Sequence, residues 1–192
     1  FELSPFAKFE IEGDKALDTL QYLCANNIKK ESGSTTYTQM LNKNGGIEAD
    51  LSITCISERK FRIITGSGVR EHDKKHILKY LDDSIKFTDI TNDYACFGIF
   101  GPKSRKLLTE IVGEEFENSQ FPFGKGKYLK INNINIWFQR LSYVGELGWE
   151  LYVPIKESKD IYQIIHNEGK KHNLIHAGRL AMDIMRMEKG YL

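Results

Sequence analysis

Tyr37-Thr38-Gln39-Met40-Leu41-Asn42, then Lys43-Asn44-Gly45-Gly46, then Ile47-Glu48-Ala49-Asp50-Leu51: this stretch decides the class of fold. Segments 37–41 and 47–56 read as strands, and the four residues between them tolerate the positive φ of a tight turn, so the whole predicts a β-hairpin. Strand alternation puts Glu48, Asp50 and Ser52 on one face and Ile47, Ala49, Leu51 and Ile53 on the other. A polar strand face is most often a solvated one. Taken alone, the hairpin leaves that reading open beside a functional one.

Outward from the hairpin, residues 7–11 alternate as a strand, and Gly13-Asp14 predicts a turn and N-cap for a helix through Leu17, Leu20 and Leu23. Downstream, 61–65 predicts a third strand for the same sheet. After Gly66-Ser67-Gly68, Val69, His76, Ile77, Tyr80 and Leu81 mark a charged amphipathic helix, and strands follow at 85–90 and 94–100. Pro102 suits the first turn of a helix through Leu107, Leu108 and Ile111, and Asn132-Asn133 turns strand 128–131 into strand 134–141. A strand at 150–153 and helices at 158–168 and 177–188 complete the pattern. The fold class is α+β, with mixed, mostly antiparallel sheets and flanking helices.

The chain has 192 residues, enough for one large domain or two small ones. Hydrophobic residues at 41% and charged residues at 28% describe an ordinary globular protein rather than a disordered one. A net charge of +1, with acids and bases interspersed, gives no reason to expect a nucleic acid. Cys24, Cys55 and Cys96 are odd in number and widely spaced, which points to a reducing compartment and to neither zinc nor a redox centre. No apolar run reaches the roughly 20 residues of a membrane span, and the first residues do not read as a signal peptide. A soluble, intracellular protein is expected. Because the sequence stops at Gly190-Tyr191-Leu192 directly after a helix, segment 1–192 is expected to be part of something longer.

A second anchor lies at Ser142-Tyr143-Val144-Gly145-Glu146-Leu147-Gly148-Trp149-Glu150-Leu151-Tyr152. Two glycines in an aromatic-rich strand suggest a bend where backbone and ligand approach closely, and alternation aims Glu150 away from Trp149 and Leu151. A carboxylate beside aromatics can accept paired hydrogen bonds from an amidine-like heterocycle edge, such as the 2-amino and N3–H groups of a pterin, with Tyr143 giving a ring face or a hydroxyl. An ordinary bulged strand with an exposed glutamate reads equally well. On the last helix Arg179, Asp183 and Arg186 share a face, as an ion-pair ladder or as a cradle for a carboxylate tail. His72 and His76 stand four apart but lack a third metal ligand, so no metal is expected.

These stretches, with Ser4-Pro5-Phe6 and Met185-Arg186-Met187-Glu188-Lys189-Gly190-Tyr191, resemble in order the folate-binding aminomethyltransferases, which include the glycine-cleavage T-protein and the C-terminal halves of dimethylglycine and sarcosine dehydrogenases. The resemblance implies tetrahydrofolate as ligand and transfer of a one-carbon unit from an amine-derived donor to form 5,10-methylenetetrahydrofolate. It places Asp50 near the reactive folate nitrogens as the catalytic residue. Tyr143 and Glu150 grip the pterin, Tyr37 contacts the folate, and Arg186 meets the folate tail, a role that the neighbouring register would assign to Met182. Ala49 stands where the T-protein branch carries an acid, and Val144, Leu147 and Trp149 are more similar to the dehydrogenase branch. That branch implies an upstream FAD domain and a further C-terminal barrel domain outside 1–192, and a mitochondrial matrix location in a eukaryote. A folate-binding domain without catalysis, and a folate-dependent demethylase of another methyl donor, are the competing functions.

Overall fold

The computed structural model describes residues 1–114 and 116–191, and they divide into two units, Pro5–Asn92 and Phe1–Ser4 with Asp93–Leu192. The first contains β1 (Ala7–Glu12), α1 (Ala16–Leu23), β2 (Thr35–Leu41), β3 (Ile47–Ser57), β4 (Lys60–Thr65), α2 (Arg70–Leu78) and β5 (Lys86–Asp89). Its sheet runs β2-β3-β4-β1-β5 with every neighbouring pair antiparallel. One face is apolar: Phe9, Ile11, Leu51, Ile53 and Ile63 pack with Leu20 and Leu23 of α1 and Ile77 of α2. Each of these side chains is removed from water, at about 1.5–3 kcal/mol apiece, and this closes the helices over the sheet.

The hairpin turn is built around Asn42, whose Oδ1 accepts from the amides of Asn44 and Gly46, both at 2.9 Å, while Gly45 takes the left-handed conformation at φ 77°. Its register carries an irregularity. Met40 faces Ala49, but Leu41 faces Ile47, so Glu48 is an extra residue on β3. The bulge overturns the simple alternation expected there, and Ile47, assigned by spacing to the apolar face, is 68% exposed. Glu48 instead accepts from Asn42 Nδ2 at 2.9 Å and lies 3.5 Å from His72 Nε2 of α2. The expected N-cap also shifts. Helix α1 is capped at Lys15 without a side-chain bond, because the Asp14 carboxylate is drawn to Arg59 at 2.7 Å.

The second unit contains β6 (Tyr94–Phe100), α3 (Ser104–Val112), β7 (Gly126–Ile131), β8 (Ile134–Gln139), β9 (Gly148–Pro154), α4 (Ser158–Gly169) and α5 (Arg179–Lys189). Its sheet order is β6-β9-β8-β7, again antiparallel throughout. Asn132 and Asn133 both have positive φ, at 48° and 67°, the geometry of a two-residue hairpin turn. Trp149 is fully buried, edge-on to Phe116 and Phe121 and packed with Leu107, Leu108, Phe138 and Ile161. Strand β8 ends at Gln139 rather than at 141, and α3 begins two residues after Pro102. Among the described residues no helix is long and apolar enough to cross a membrane.

On the non-apolar face of the first sheet, Glu10 of β1 accepts from Arg62 Nε and Nη2 of β4 at 3.1 and 2.8 Å and pairs with Lys60 at 2.7 Å. Burial pushes the Glu10 carboxyl up, but the bonds from Lys60 and Arg62 outweigh it and hold the group below the ordinary glutamate value of 4.5. A depressed folded-state value means this stabilisation is present above about pH 4.5 and is lost as pH falls through the lower, folded-state value. Because Arg62 is 2% exposed, Glu10→Gln should cost on the order of 3 kcal/mol at pH 7 and flatten the acid limb of a denaturant-midpoint-versus-pH curve. A cost under about 0.5 kcal/mol, the ordinary surface scale, would contradict this role.

Candidate functional site

In the first unit the candidate group is the Asp50 carboxylate on exposed β3 surface. Antiparallel pairing sets Gln39 directly opposite Asp50 and Tyr37 opposite Ser52, so β2 presents both side chains to the same face. Tyr37 Oη donates to Asp50 Oδ2 at 2.8 Å, and Gln39 Nε2 donates to Asp50 Oδ1 at 3.0 Å. Each oxygen thus holds one charge-assisted bond, and each keeps a further lone-pair site for a ligand. Both donors are neutral, so the carboxylate is held without being neutralised. Tyr37 uses its hydroxyl on Asp50, while the residue as a whole is 54% exposed.

In the second unit Glu150 of β9 points away from Trp149 and Leu151, as alternation expects, and accepts from Tyr152 Oη at 2.8 Å. Gln139 of β8 stands directly across from it. Trp137 Nε1 donates to Gln139 Oε1 at 3.0 Å, and because an indole N–H can only donate, this fixes the carboxamide orientation. Gly126 allows it: a Cβ there would meet Gln139 Oε1 at 2.3 Å. The remaining end, Gln139 Nε2, is a buried donor with no hydrogen-bond partner, a rare and costly condition inside a protein.

The loop before β9 carries Tyr143, whose ring lies nearly parallel to Tyr191, 17° apart with centroids at 6.1 Å, and 6.0 Å from the Arg186 guanidinium. Arg186 Nη1 donates to Tyr191 O at 3.0 Å and its Nε lies 3.7 Å from Asp183, which also takes Arg179 at 2.9 Å. The ion-pair ladder left open by the sequence is therefore formed, and Arg186, 28% exposed at its side chain, still reaches solvent from within it. Met182 is buried in α5.

Of the two glycines, Gly148 at the start of β9 differs from expectation. A Cβ on Gly148 would meet Ile99 O at 2.5 Å and Phe100 Cα at 2.9 Å, so its close approach serves the β6 backbone rather than a ligand. Gly145 is left-handed at φ 73° and turns the loop beside Lys189.

The structure thus joins Tyr37 to Asp50 and Tyr143 to Arg186, and sets Glu150 with Tyr152. Sequence reasoning passed over Gln39, Gln139 and Tyr152. Gln39 and Tyr152 were findable two residues from Tyr37 and Glu150, on the same strand faces; Gln139 needed the β8–β9 register. Among the described residues no cluster of three or more His, Cys, Asp or Glu could hold a metal ion. His72 is bonded to buried Asp73 at 3.0 Å, which raises its affinity for a proton. Burial pushes the Cys24 thiol up to about 12, leaving it little thiolate at neutral pH.

The model of the GCVT N-terminal domain family matches residues 1–192. The chain belongs to that family. Similar proteins include human mitochondrial dimethylglycine dehydrogenase, 35% identical over 99% of this chain and 22% of that protein, and the aminomethyltransferase of Halothermothrix orenii, 30% identical over all of this chain and 53% of that protein. The glycine cleavage system aminomethyltransferase T of Bartonella henselae has the same fold, with a TM-score of 0.86 over all of this chain and 51% of that one at 22% identity. This GCVT N-terminal domain therefore spans about a fifth to a half of the length of these relatives.

Gly148→Ala should cost about 1–3 kcal/mol through overpacking against the β6 backbone, read as a lowered melting temperature. An unchanged melting temperature would show that β6 yields freely at Ile99 and Phe100.

Proposed function

We propose that this GCVT N-terminal domain binds tetrahydrofolate and takes part in moving a one-carbon unit onto it, forming 5,10-methylenetetrahydrofolate from an N-methylglycine-derived or related amine donor. The observation that carries the reading is the Tyr37–Asp50–Gln39 arrangement: an exposed carboxylate oriented by two neutral donors, at the position where the resemblance expects the acid nearest the reacting nitrogens. A merely solvated strand face gives no reason for both oxygens of one aspartate to be held.

The residues suit a reduced folate on their own chemistry. Glu150 offers an acceptor, and a pterin edge presents the complementary 2-amino and N3–H donors. Tyr143 offers a ring and Arg186 a cation for the carboxylate-bearing tail. The bound folate supplies the nucleophilic nitrogens that accept the carbon. Asp50 takes a proton from nitrogen as the new bond forms, or holds the positive charge that develops there. Glu150, Tyr143, Tyr37 and Arg186 bind and orient.

The donor-generating step belongs, on this reading, to a flavin-dependent portion of a larger polypeptide, as in a sarcosine or dimethylglycine dehydrogenase-like enzyme. FAD would be held there and not by these residues. A further C-terminal domain and, in a eukaryote, the mitochondrial matrix are part of the same proposal, with mitochondrial relatives in support of the location.

In the full-length enzyme, Glu150→Gln should weaken tetrahydrofolate binding by about 1–3 kcal/mol, the scale of a lost charge-assisted contact. Asp50→Asn should leave affinity near normal and cut methylenetetrahydrofolate formation by about 10²-fold, with formaldehyde released in its place. Full transfer by Asp50→Asn, under conditions that exclude spontaneous reaction of formaldehyde with folate, would leave a binding domain.

A further inference from the structure

We infer that Gln39 is a positioning residue for Asp50, holding its carboxylate in the orientation that one-carbon transfer needs. The inference rests on the proposed role of Asp50 and adds a residue which that role does not by itself require.

An aspartate on a strand turns about two side-chain bonds, and a single donor leaves one of its oxygens free to swing. Here the oxygens are taken by different residues of the same strand. Tyr37 and Gln39 stand two apart on β2, so both side chains rise from one face and reach the carboxylate from adjacent positions. Gln39 is the directly opposed partner, the closest cross-strand relation an antiparallel pair offers, and its bond to Oδ1 at 3.0 Å fixes the oxygen that Tyr37 does not reach. The choice of a carboxamide has a consequence. A lysine or arginine at 39 would also hold the oxygen but would offset the negative charge that faces the ligand, whereas a carboxamide orients it and leaves the charge in place.

The bulge at Glu48 lies one residue beyond Ala49, so the register from Thr35 to Met40 is regular where Gln39 and Asp50 meet. Gln39 is partly exposed on a polar face and contributes nothing to the apolar core, which makes its replacement a test of position and not of folding.

The test is a double-mutant cycle in the full-length enzyme, read as the rate of methylenetetrahydrofolate formation. Gln39→Leu should lower kcat about tenfold, with the KM for tetrahydrofolate changed less than about twofold and the melting temperature unchanged. Added to Asp50→Asn it should have no further effect, because there is no longer a carboxylate to position. Gln39→His, which restores a donor, should recover part of the rate. Equal losses from Gln39→Leu in both backgrounds, or no loss in either, would overturn the inference while the role of Asp50 stands. Full activity in Asp50→Asn alone would remove the role of Asp50 and this inference with it.

Discussion

The register of β3 against β2 is the constraint from which the candidate chemistry of the first unit follows. Because Gln39 opposes Asp50 and Tyr37 opposes Ser52, two neutral donors converge on one carboxylate. A slip of one residue would turn Asp50 into the apolar face toward Leu20 and Leu23 and expose Leu51 and Ile53 in its place. Burial of Ala49, Leu51 and Ile53 therefore fixes the polar side as firmly as the hydrophobic one. The bulge absorbs the mismatch at the turn. It frees Glu48 to meet Asn42 and His72 without disturbing the pairs around Asp50.

A related arrangement occurs in the second unit, on an unrelated strand pair. Glu150 also stands opposite a glutamine and also takes a bond from a tyrosine hydroxyl, here Tyr152. The difference lies in what each glutamine does with its amide. Gln39 spends it on the aspartate, whereas Gln139 is held by Trp137 with its nitrogen unpaired. Asp50 thus takes bonds on both oxygens from β2, whereas Glu150 is bonded by Tyr152 of its own strand.

Much of the fold was legible because it is written in period-two and helical apolar patterns. Among the described residues the nine strands and five α-helices fall close to where alternation, glycine turns and asparagine pairs put them, since Phe9, Ile53, Ile63, Phe138 and Leu151 leave few other ways to bury apolar surface. What escaped notice depends on partners distant in sequence. The bulge at Glu48 follows from how the Asn42 turn closes, the failure of Asp14 to cap α1 follows from Arg59 across the sheet, and Gly148 is explained by the carbonyl of Ile99. For the candidate site, Asp50, Glu150, Tyr37, Tyr143 and Arg186 came from motif order, while Gln39 and Gln139 required knowing which strands pair and in which register. The family assignment rests on the match over 1–192 and the common fold; the roles of the individual residues are proposals.

The central claim is that the Asp50 carboxylate, held by Tyr37 and Gln39, serves a reduced folate. Hydrogen–deuterium exchange of the full-length protein, with and without saturating tetrahydrofolate under anaerobic conditions, tests it most directly. The account predicts that the ligand slows exchange in 37–52, with the α1 amides unchanged. Saturable binding that leaves 37–52 unprotected would contradict it.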